Sequence, residues 1–260
     1  MSKYNLSICA YCKDETDYLE EWINFNRTVG VDHFYIYDNA SIIPVKETLS
    51  KYIEKNIVTV IDFPSKCGQL NAYSHCIFNY KYFSDWIAFI DCDEFLIPKS
   101  SDNIKNILKD YEQYGGLCVN WKFFGSSGFK EKQSGLISET FKSCSDNNHI
   151  KTIIKSEFVL SPGSNSHYFK YIDGKNSVSE NFELVDSAFS KPSYNKIQLN
   201  HYYSKSFEEW SAKVEKTKIG NALPGPPRNI DDIDIFDKDC TDIDTSALQF
   251  INDTKKNYLK

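Results

Sequence analysis

Three carboxylates follow directly on an apolar run in the segment WIAFIDCDEFLIP, residues 86–98. Asp91 and Asp93 flank a single cysteine, and Glu94 comes next. A buried carboxylate without a partner is costly, so such a group normally lies beside a cation or in water. Two aspartates in the pattern Asp-x-Asp suit a hard divalent ion such as Mg²⁺ or Mn²⁺, which also binds phosphate oxygens. The segment therefore predicts either metal-assisted chemistry on a phosphorylated substrate or a strand that ends in a solvated turn.

The elements that would position these carboxylates alternate between strands and helices through residue 115. Apolar runs predict strands at 5–12, 33–39, 57–63 and 86–91, and helical periodicity predicts helices at 14–30, 45–56, 69–83 and 103–114. Such alternation implies an α/β fold with a mostly parallel sheet and helices on both faces. Ligands of these sheets bind at the carboxyl ends of the strands, so polar residues there should share one rim. These residues are Lys13, Asp14, Glu15, Asp38, Asn39, Asp91 and Asp93.

The pattern changes after residue 116, where strands predominate. Strands are predicted within 116–128, 149–162, 167–172 and 195–204, and a helix over 207–220 that stops at Gly220. The segment NALPGPPRN breaks regular structure. The acidic stretch from Asp231 to Asp244 is expected to be a solvated charged segment.

Composition limits the classes of protein to consider. The chain has 260 residues, enough for one large domain, and its net charge of −6 gives no sign of a nucleic-acid-binding surface. Its eight cysteines are expected to be reduced, buried thiols, since the sequence shows neither a secretion signal nor zinc-ribbon spacing. No apolar window is long enough for a membrane span. We therefore expect a cytoplasmic protein, whose contact with a membrane would be peripheral docking at the inner face.

Five segments together resemble the ordered blocks of glycosyltransferase family 92 and its bacterial relatives. They are YCKDETDYLEEWINFNRTVGVDHFYIYDNAS, QLNAYSHC, WIAFIDCDEFLIP, NWKFFGSSG and NHYYSKSFEEW, and they occur in the family's order within residues 5–220. The resemblance implies a GT-A fold, in which a Rossmann-like, mostly parallel sheet flanked by helices adjoins a smaller mixed region. It further implies a nucleotide-sugar donor, a metal site at the Asp-x-Asp motif and an inverting displacement. Residues 1–115 would then form the donor half, 116–220 the acceptor half and 221–260 a C-terminal tail.

The resemblance also implies roles for single residues. Asp91, Asp93 and His201 would hold Mn²⁺ or Mg²⁺, with His167 as the second choice for the histidine. The donor would be bound by Glu15, Asp38, Gln69, Asn71, Asp91 and Lys205. Several of these residues have a structural alternative: Glu15 could be a helix-terminal carboxylate, Gln69 a capping residue and His201 a packed histidine.

Inversion requires a base close to the acceptor hydroxyl, on the face opposite the leaving diphosphate. The acceptor half offers Glu139, Asp146, Glu157 and Asp173, and we choose Glu139 because it follows the FGSSG segment and begins an apolar pattern. Trp121, Phe123 and Phe124 could stack on sugar faces or could equally be core residues.

Three functions compete at this point. The leading one is transfer of a hexose from a UDP-linked sugar to a glycan or glycolipid acceptor, in bacterial surface polysaccharide or lipopolysaccharide synthesis. A metal-dependent nucleotidyl or phosphoryl transferase would also use aspartates at the end of a strand. A non-catalytic carbohydrate-binding protein could keep a GT-A-like fold without its chemistry.

Overall fold

The computed structural model describes residues 2–65, 68–218 and 228–258, the side chains of residues 217 and 218 excepted. The strands are β1 Tyr4–Cys12, β2 His33–Asp38, β3 Val58–Asp62, β4 Ser84–Phe89, β5 Glu94–Pro98, β6 Gly116–Phe124, β7 Ser143–Lys155, β8 Val159–Pro162, β9 Phe169–Tyr171, β10 Ser177–Val178, β11 Ile197–His201 and β12 Asp242–Ile243. The α-helices are α1 Thr16–Thr28, α2 Val45–Thr48, α3 Ser50–Glu54, α4 Gln69–Tyr80, α5 Ile104–Leu108, α6 Ile137–Thr140, α7 Phe207–Lys218, α8 Asp232–Asp239 and α9 Ile251–Asn257.

The first half of the main sheet is parallel and runs in the order β3-β2-β1-β4. The same strand order occurs in the nucleotide-binding half of doubly wound α/β folds. β1 is covered on both faces, which explains its nearly continuous apolar sequence. Trp22 and Phe25 of α1 pack with Ile8 on one face, whereas Tyr73 and Cys76 of α4 pack with the other. The expected α/β fold with a mostly parallel first half is confirmed.

The second half of the sheet is mixed. β7 is antiparallel to both β4 and β6, β11 is parallel to β6, and β5 is antiparallel to β11. This pairing places His201 opposite Glu94 on one side and Phe123 on the other. The carboxylate segment and the late histidine, which are far apart in the sequence, therefore meet at one edge of the sheet.

Two of the predicted helices are shorter or interrupted in the structure. The helix expected at 45–56 is the pair α2 and α3, joined at Leu49, whose φ is −103°. Val45, Leu49 and Tyr52 are all buried. The periodicity therefore correctly indicates which side chains face the core, although the helix is interrupted. The helix expected at 103–114 is α5 followed by a 3₁₀ turn, Lys109–Tyr111. Within the described ranges, no helix combines the length and apolar character needed to cross a membrane.

The C-terminal segment from residue 228 folds onto the domain, although the sequence predicted a solvated acidic stretch. β12 pairs with the start of β7, and Phe250, next to α9, packs edge-on against Phe25 of α1. Asn257 donates to Thr28 Oγ1 at 2.8 Å. The predicted helix stop at Gly220 and most of the NALPGPPRN segment lie outside the described residues, as does Cys67. The seven described cysteines are buried, free thiols, as expected.

A buried histidine at the start of β2 makes the fold sensitive to acid. Burial lowers the pKa of His33 to about 4, and Lys3 adds to this, although the Asn56 carbonyl and Asp32 oppose it. The unfolded chain therefore binds a proton near pH 6.5 that the folded chain takes up only near pH 4, so stability falls as pH drops through this window. Between pH 7 and pH 4.5 we expect the free energy of unfolding to fall by about 2–3 kcal/mol less in His33→Gln than in the wild type. Urea titration at the two pH values measures this difference. An unchanged acid slope in the variant would contradict this assignment.

Candidate active site

The first aspartate of the carboxylate segment is held from both halves of the sheet. Asp91 Oδ1 accepts a hydrogen bond from Gln69 Nε2 at 2.7 Å, and Asp91 Oδ2 lies 2.7 Å from Lys151 Nζ. Gln69 opens α4, whereas Lys151 lies in β7 and is buried. Burial lowers the pKa of Lys151, but Asp91 and Glu94 outweigh it and the pKa is raised, so the ammonium stays charged. The sequence therefore correctly grouped Gln69 with Asp91 and missed Lys151.

Glu94 is a completely buried carboxyl group in the same cluster. Its Oε2 accepts the backbone N–H of Asp91 at 2.8 Å and lies 3.7 Å from Lys151 Nζ, while its Oε1 has no hydrogen-bond partner among the described residues. Burial raises the pKa of Glu94, and the carboxylates of Asp91 and Asp93 act in the same direction against Lys151. Glu94 has no exposed surface, and its hydrogen bond to the Asp91 N–H fixes the backbone at Asp91.

The second aspartate, Asp93, faces a different set of side chains. Its Oδ1 lies 3.5 Å from His201 Nε2, and its Oδ2 lies 3.1 Å from Lys213 Nζ. Burial by itself would raise the pKa of Asp93, but Lys213, His201 and Lys205 outweigh burial and hold the pKa well below its usual range. Asp93 is therefore an anion held beside the His201 imidazole and the Lys213 ammonium. This geometry brings together Asp93 and His201, two of the three residues that the sequence proposed as metal ligands, whereas the third, Asp91, contacts Gln69 and Lys151.

A cavity of about 270 Å³ adjoins this cluster between the end of β1, the start of α1 and α7. Its charged lining residues are the cations Lys13, Lys132, Lys205, Lys213, Lys216 and Arg228 and the acids Asp14, Asp17, Glu15, Glu208 and Glu209. Several of these groups pair with one another, as Lys132 does with Asp17 at 2.6 Å. The lining therefore places six cationic and five acidic groups beside the carboxylate rim, and its ammonium groups are of the kind that can bind a diphosphate.

Lys205 is buried in the wall of this cavity. Its Nζ lies 3.6 Å from Glu15 Oε2, and its backbone has a φ of 56°, a conformation that is strained for a residue with a side chain. Burial lowers the pKa of Lys205, but Glu15, Asp93 and Glu209 outweigh it and the pKa is raised. Glu15 precedes α1 but makes no side-chain cap with that helix. Glu15 therefore pairs with Lys205 at the cavity, and its contact with the donor stays a prediction.

Trp121 lies on the acceptor side of the rim among three of the five histidines. Its ring centroid is 4.8 Å from that of His149, which is stacked, 4.4 Å from that of His201 and 5.5 Å from that of His167. The indole Nε1 and His201 Nδ1 are buried without a hydrogen-bond partner among the described residues. His149 stacks on Trp121 and His201 is tilted against it, so the ring positions these histidines while staying partly exposed. Phe124 is buried in the core.

Three of the predicted site residues do not join this cluster. Asn71 is exposed on α4, one turn from the rim. Glu139 lies on α6, is not among the lining residues of the cavity, and forms an ion pair of 2.7 Å with Lys255 of α9. Asp38 is buried in the turn that follows β2. Glu139 as the base therefore stays a prediction, and its carboxylate faces Lys255 of the C-terminal segment.

Asp38 holds the turn that follows β2. Its Oδ1 accepts the N–H of Ser41 at 2.9 Å, and its Oδ2 accepts the N–H of Val45 at 3.0 Å. We expect Asp38→Ala to lower the free energy of unfolding by about 1–3 kcal/mol, because two backbone amides lose their acceptor. Thermal unfolding without ligand measures this. If the melting temperature stays unchanged while the donor KM rises, Asp38 contacts the nucleoside instead.

Sequence reasoning missed Lys151 and Lys213, the two lysines that pair with the aspartates. Nothing in the local sequence marks either of them, since lysines at such positions in a strand or an amphipathic helix normally face solvent. The only available signal was the requirement that three adjacent carboxylates have positive partners.

The side chains of the Asp-x-Asp motif offer two ligands for a metal ion. Asp93 Oδ1 and His201 Nε2 are 3.5 Å apart, close enough to share one ion. Across residues 2–65, 68–218 and 228–258, no group of three His, Cys, Asp or Glu side chains is placed to hold an ion. Mg²⁺ commonly takes only one or two protein ligands and completes its shell with substrate phosphates and water. Asp93 and His201 therefore fit an ion that arrives with a diphosphate, and Lys213 would have to leave Asp93 Oδ2.

The chain matches the family model "Glycosyltransferase family 92" over residues 4–234. A family 92 protein of Ricinus communis is 24% identical over 221 residues, which cover 82% of this chain and 37% of that protein. A galactan beta-1,4-galactosyltransferase of Arabidopsis thaliana is 28% identical over 131 residues, covering 45% of this chain and 25% of that protein. The chain thus spans well under half of the length of these relatives.

Among solved structures, S. aureus TarS in complex with UDP-GlcNAc aligns with a TM-score of 0.45 and 12% identity, covering 88% of this chain and 70% of that one. The family match extends over the parallel half of the sheet, the carboxylate segment and the strand that ends in His201. The chain belongs to glycosyltransferase family 92.

Proposed function

We propose that this protein transfers a hexose from a UDP-linked sugar to a glycan acceptor, with inversion at the anomeric carbon. The observation that carries the proposal is Asp93 fixed between His201 and Lys213 at the carboxyl edge of the sheet, beside a cavity rich in lysine. Ligands of open α/β sheets bind at this edge. Family membership supports the reaction class.

Lys205 and Lys213 are the side chains that we place on the diphosphate of the donor. Both reach Asp93 electrostatically, and both line the cavity, so they are close to any phosphate that approaches the motif. Ammonium groups in a water-poor wall stabilise negative charge more strongly than they do in water. As the diphosphate leaves, its growing charge is therefore met by groups that are already in place.

Asp91, with Gln69 and Lys151, forms a second polar set, which we place at the ribose or the hexose. The carboxylate is about one-third exposed, at 32%, so it can accept hydrogen bonds from hydroxyl groups. Gln69 and Lys151 fix its orientation before the substrate arrives, which lowers the entropy cost of binding. Asp93 and His201 would hold a divalent ion that, when bound, stabilises the leaving diphosphate as a Lewis acid.

The identity of the substrates is proposed from the relatives. Two of the similar Arabidopsis proteins are named galactan beta-1,4-galactosyltransferases, which favours UDP-galactose as donor and a β-1,4-linked galactan as acceptor. A bacterial lipopolysaccharide or surface polysaccharide acceptor, a cytoplasmic location and a peripheral contact with the membrane stay predictions.

A donor panel tests the proposal directly. The melting temperature is measured with UDP-galactose, UDP-glucose, UDP-GlcNAc and GDP-mannose, each with and without Mn²⁺. We expect the UDP sugars to raise it and Mn²⁺ to increase the shift, because a ligand that binds the folded state stabilises it. A nucleotidyl transferase would instead respond to UTP and a sugar 1-phosphate and release pyrophosphate. Stabilisation by glycans alone, without any nucleotide, would indicate a binding protein.

A further inference from the structure

The proposed transfer requires a proton acceptor, and the first choice, Glu139, is paired with Lys255 and does not line the cavity. Glu94 is fully buried, and Asp146 is paired with Lys122 at 2.6 Å. Two partly exposed imidazoles, those of His149 and His167, lie next to Trp121 and are influenced electrostatically by Lys151. Both are candidates for the base.

The tautomer of His167 is fixed by the backbone. Its Nδ1 lies 2.7 Å from the carbonyl oxygen of Ile150, and because a carbonyl can only accept, Nδ1 carries the hydrogen and Nε2 carries the lone pair. The backbone of His167 is held as well, since its N–H donates to Asn165 Oδ1 at 2.9 Å and its carbonyl accepts from Thr152 Oγ1 at 2.6 Å. Nε2 is bonded by no protein group within the described residues.

The surroundings of the His167 ring keep it neutral, and the ring lies near Asp91 and Lys151. Burial lowers the pKa of His167 to about 4, and Lys151 adds to this, while the Ile150 carbonyl and Asp91 oppose it. Asp91 and Lys151 are thus near enough to act on the ring electrostatically. His149 is less suitable, because the stacked Trp121 and the edge-on Phe189, with centroids 4.8 and 4.5 Å away, enclose its ring.

We propose that His167 is the general base that takes the proton of the acceptor hydroxyl through Nε2; this inference rests on the proposed function. In the step, the hydroxyl oxygen bonds to the anomeric carbon as the bond from that carbon to the phosphate oxygen breaks. The bonding electron pair leaves with the diphosphate, and the hydroxyl proton moves to Nε2. The resulting imidazolium then returns the proton to water.

The test compares His167→Asn with His149→Asn. The asparagine amide can still donate to the Ile150 carbonyl from the position of Nδ1, so the loop should keep its conformation while the basic Nε2 is lost. We expect kcat for transfer from UDP-galactose to β-1,4-galactotetraose to fall by about 10²- to 10⁴-fold in His167→Asn. The affinity for UDP and the melting temperature should change little, and His149→Asn should lose less than tenfold in kcat.

Chemical rescue separates a base from a structural histidine. Added imidazole should restore part of the transfer by His167→Ala and none of that by a variant disabled elsewhere in the site, such as Asp93→Asn. Transfer by His167→Asn within tenfold of wild type, or a loss of transfer that matches a loss of UDP affinity and resists imidazole, overturns the assignment. If wild-type protein transfers no hexose from any donor of the panel, the proposed function itself fails, and the base fails with it.

Discussion

Asp93→Asn is expected to reduce hexose transfer by roughly a thousandfold, equivalent to about 4 kcal/mol of transition-state stabilisation. The substitution keeps the shape of the side chain but removes the negative charge that faces both His201 and Lys213. Binding of Mn²⁺ should weaken as well, because an amide oxygen is a poorer ligand for a hard ion than a carboxylate. Initial rates over a Mn²⁺ titration measure both effects.

The control for this variant is Asp110→Asn, which removes a carboxylate from a different ion pair. Asp110 forms an ion pair with Lys196 at 3.3 Å and takes no part in the rim, so its loss should leave transfer within about twofold of wild type. Circular dichroism and the melting temperature of Asp93→Asn establish whether the variant is folded. In the wild-type protein Lys213 Nζ also donates to the carbonyl of Tyr203 at 2.9 Å, so the lysine has a second partner when Asp93 is replaced. Near-normal turnover by folded Asp93→Asn would remove Asp93 from the reaction.

Lys213→Met should have two opposite effects, which makes it the more diagnostic substitution. The Lys213 ammonium lies 3.1 Å from Asp93 Oδ2, where it would compete with a metal ion for that oxygen. Removing it should therefore tighten binding of Mn²⁺ alone. UDP should bind about 10- to 100-fold more weakly, because a charge-assisted contact to the diphosphate is lost.

Both effects can be measured by calorimetry on the same preparation, with Mn²⁺ in the absence of nucleotide and with UDP in the presence of Mn²⁺. Lys196→Met is the matched control, since it removes a lysine from a carboxylate pair far from the rim. If Lys213→Met binds Mn²⁺ and UDP as the wild type does, Lys213 is only a structural partner of Asp93. Weaker binding of both ligands would indicate that the lysine shapes the site without competing for the ion.

The sequence was sufficient for the parallel half of the fold because each element there is specified locally. β1 and β2 are buried on both faces and read as continuous apolar runs, and α1 shows a full helical period. The rule that ligands bind at the carboxyl ends of parallel strands then predicts that Glu15 and Asp91 share one rim. The interruption of the helix at Leu49 was not predictable, since its burial pattern is the same as that of an unbroken helix.

The site could be predicted only where its residues carry an unusual chemical pattern. Asp91, Asp93 and Glu94 are conspicuous as adjacent carboxylates, whereas their partners Lys151 and Lys213 arrive from distant elements and look like ordinary surface lysines. The choice of Glu139 as base rested on its position in the sequence, and the structure turns its carboxylate toward Lys255. His167 had no distinguishing local pattern, because its role depends on a backbone carbonyl of the neighbouring strand.

The central claim is that the rim around Asp93 transfers a hexose from a nucleotide sugar. The most direct measurement is mass spectrometry of β-1,4-galactotetraose incubated with the protein, UDP-galactose and Mn²⁺, beside the same reaction with Asp93→Asn. We predict a product heavier by one hexose, with UDP released in equal amount, and only trace product from the variant. No elongated product from any sugar donor and acceptor, or equal product from Asp93→Asn, would contradict the claim.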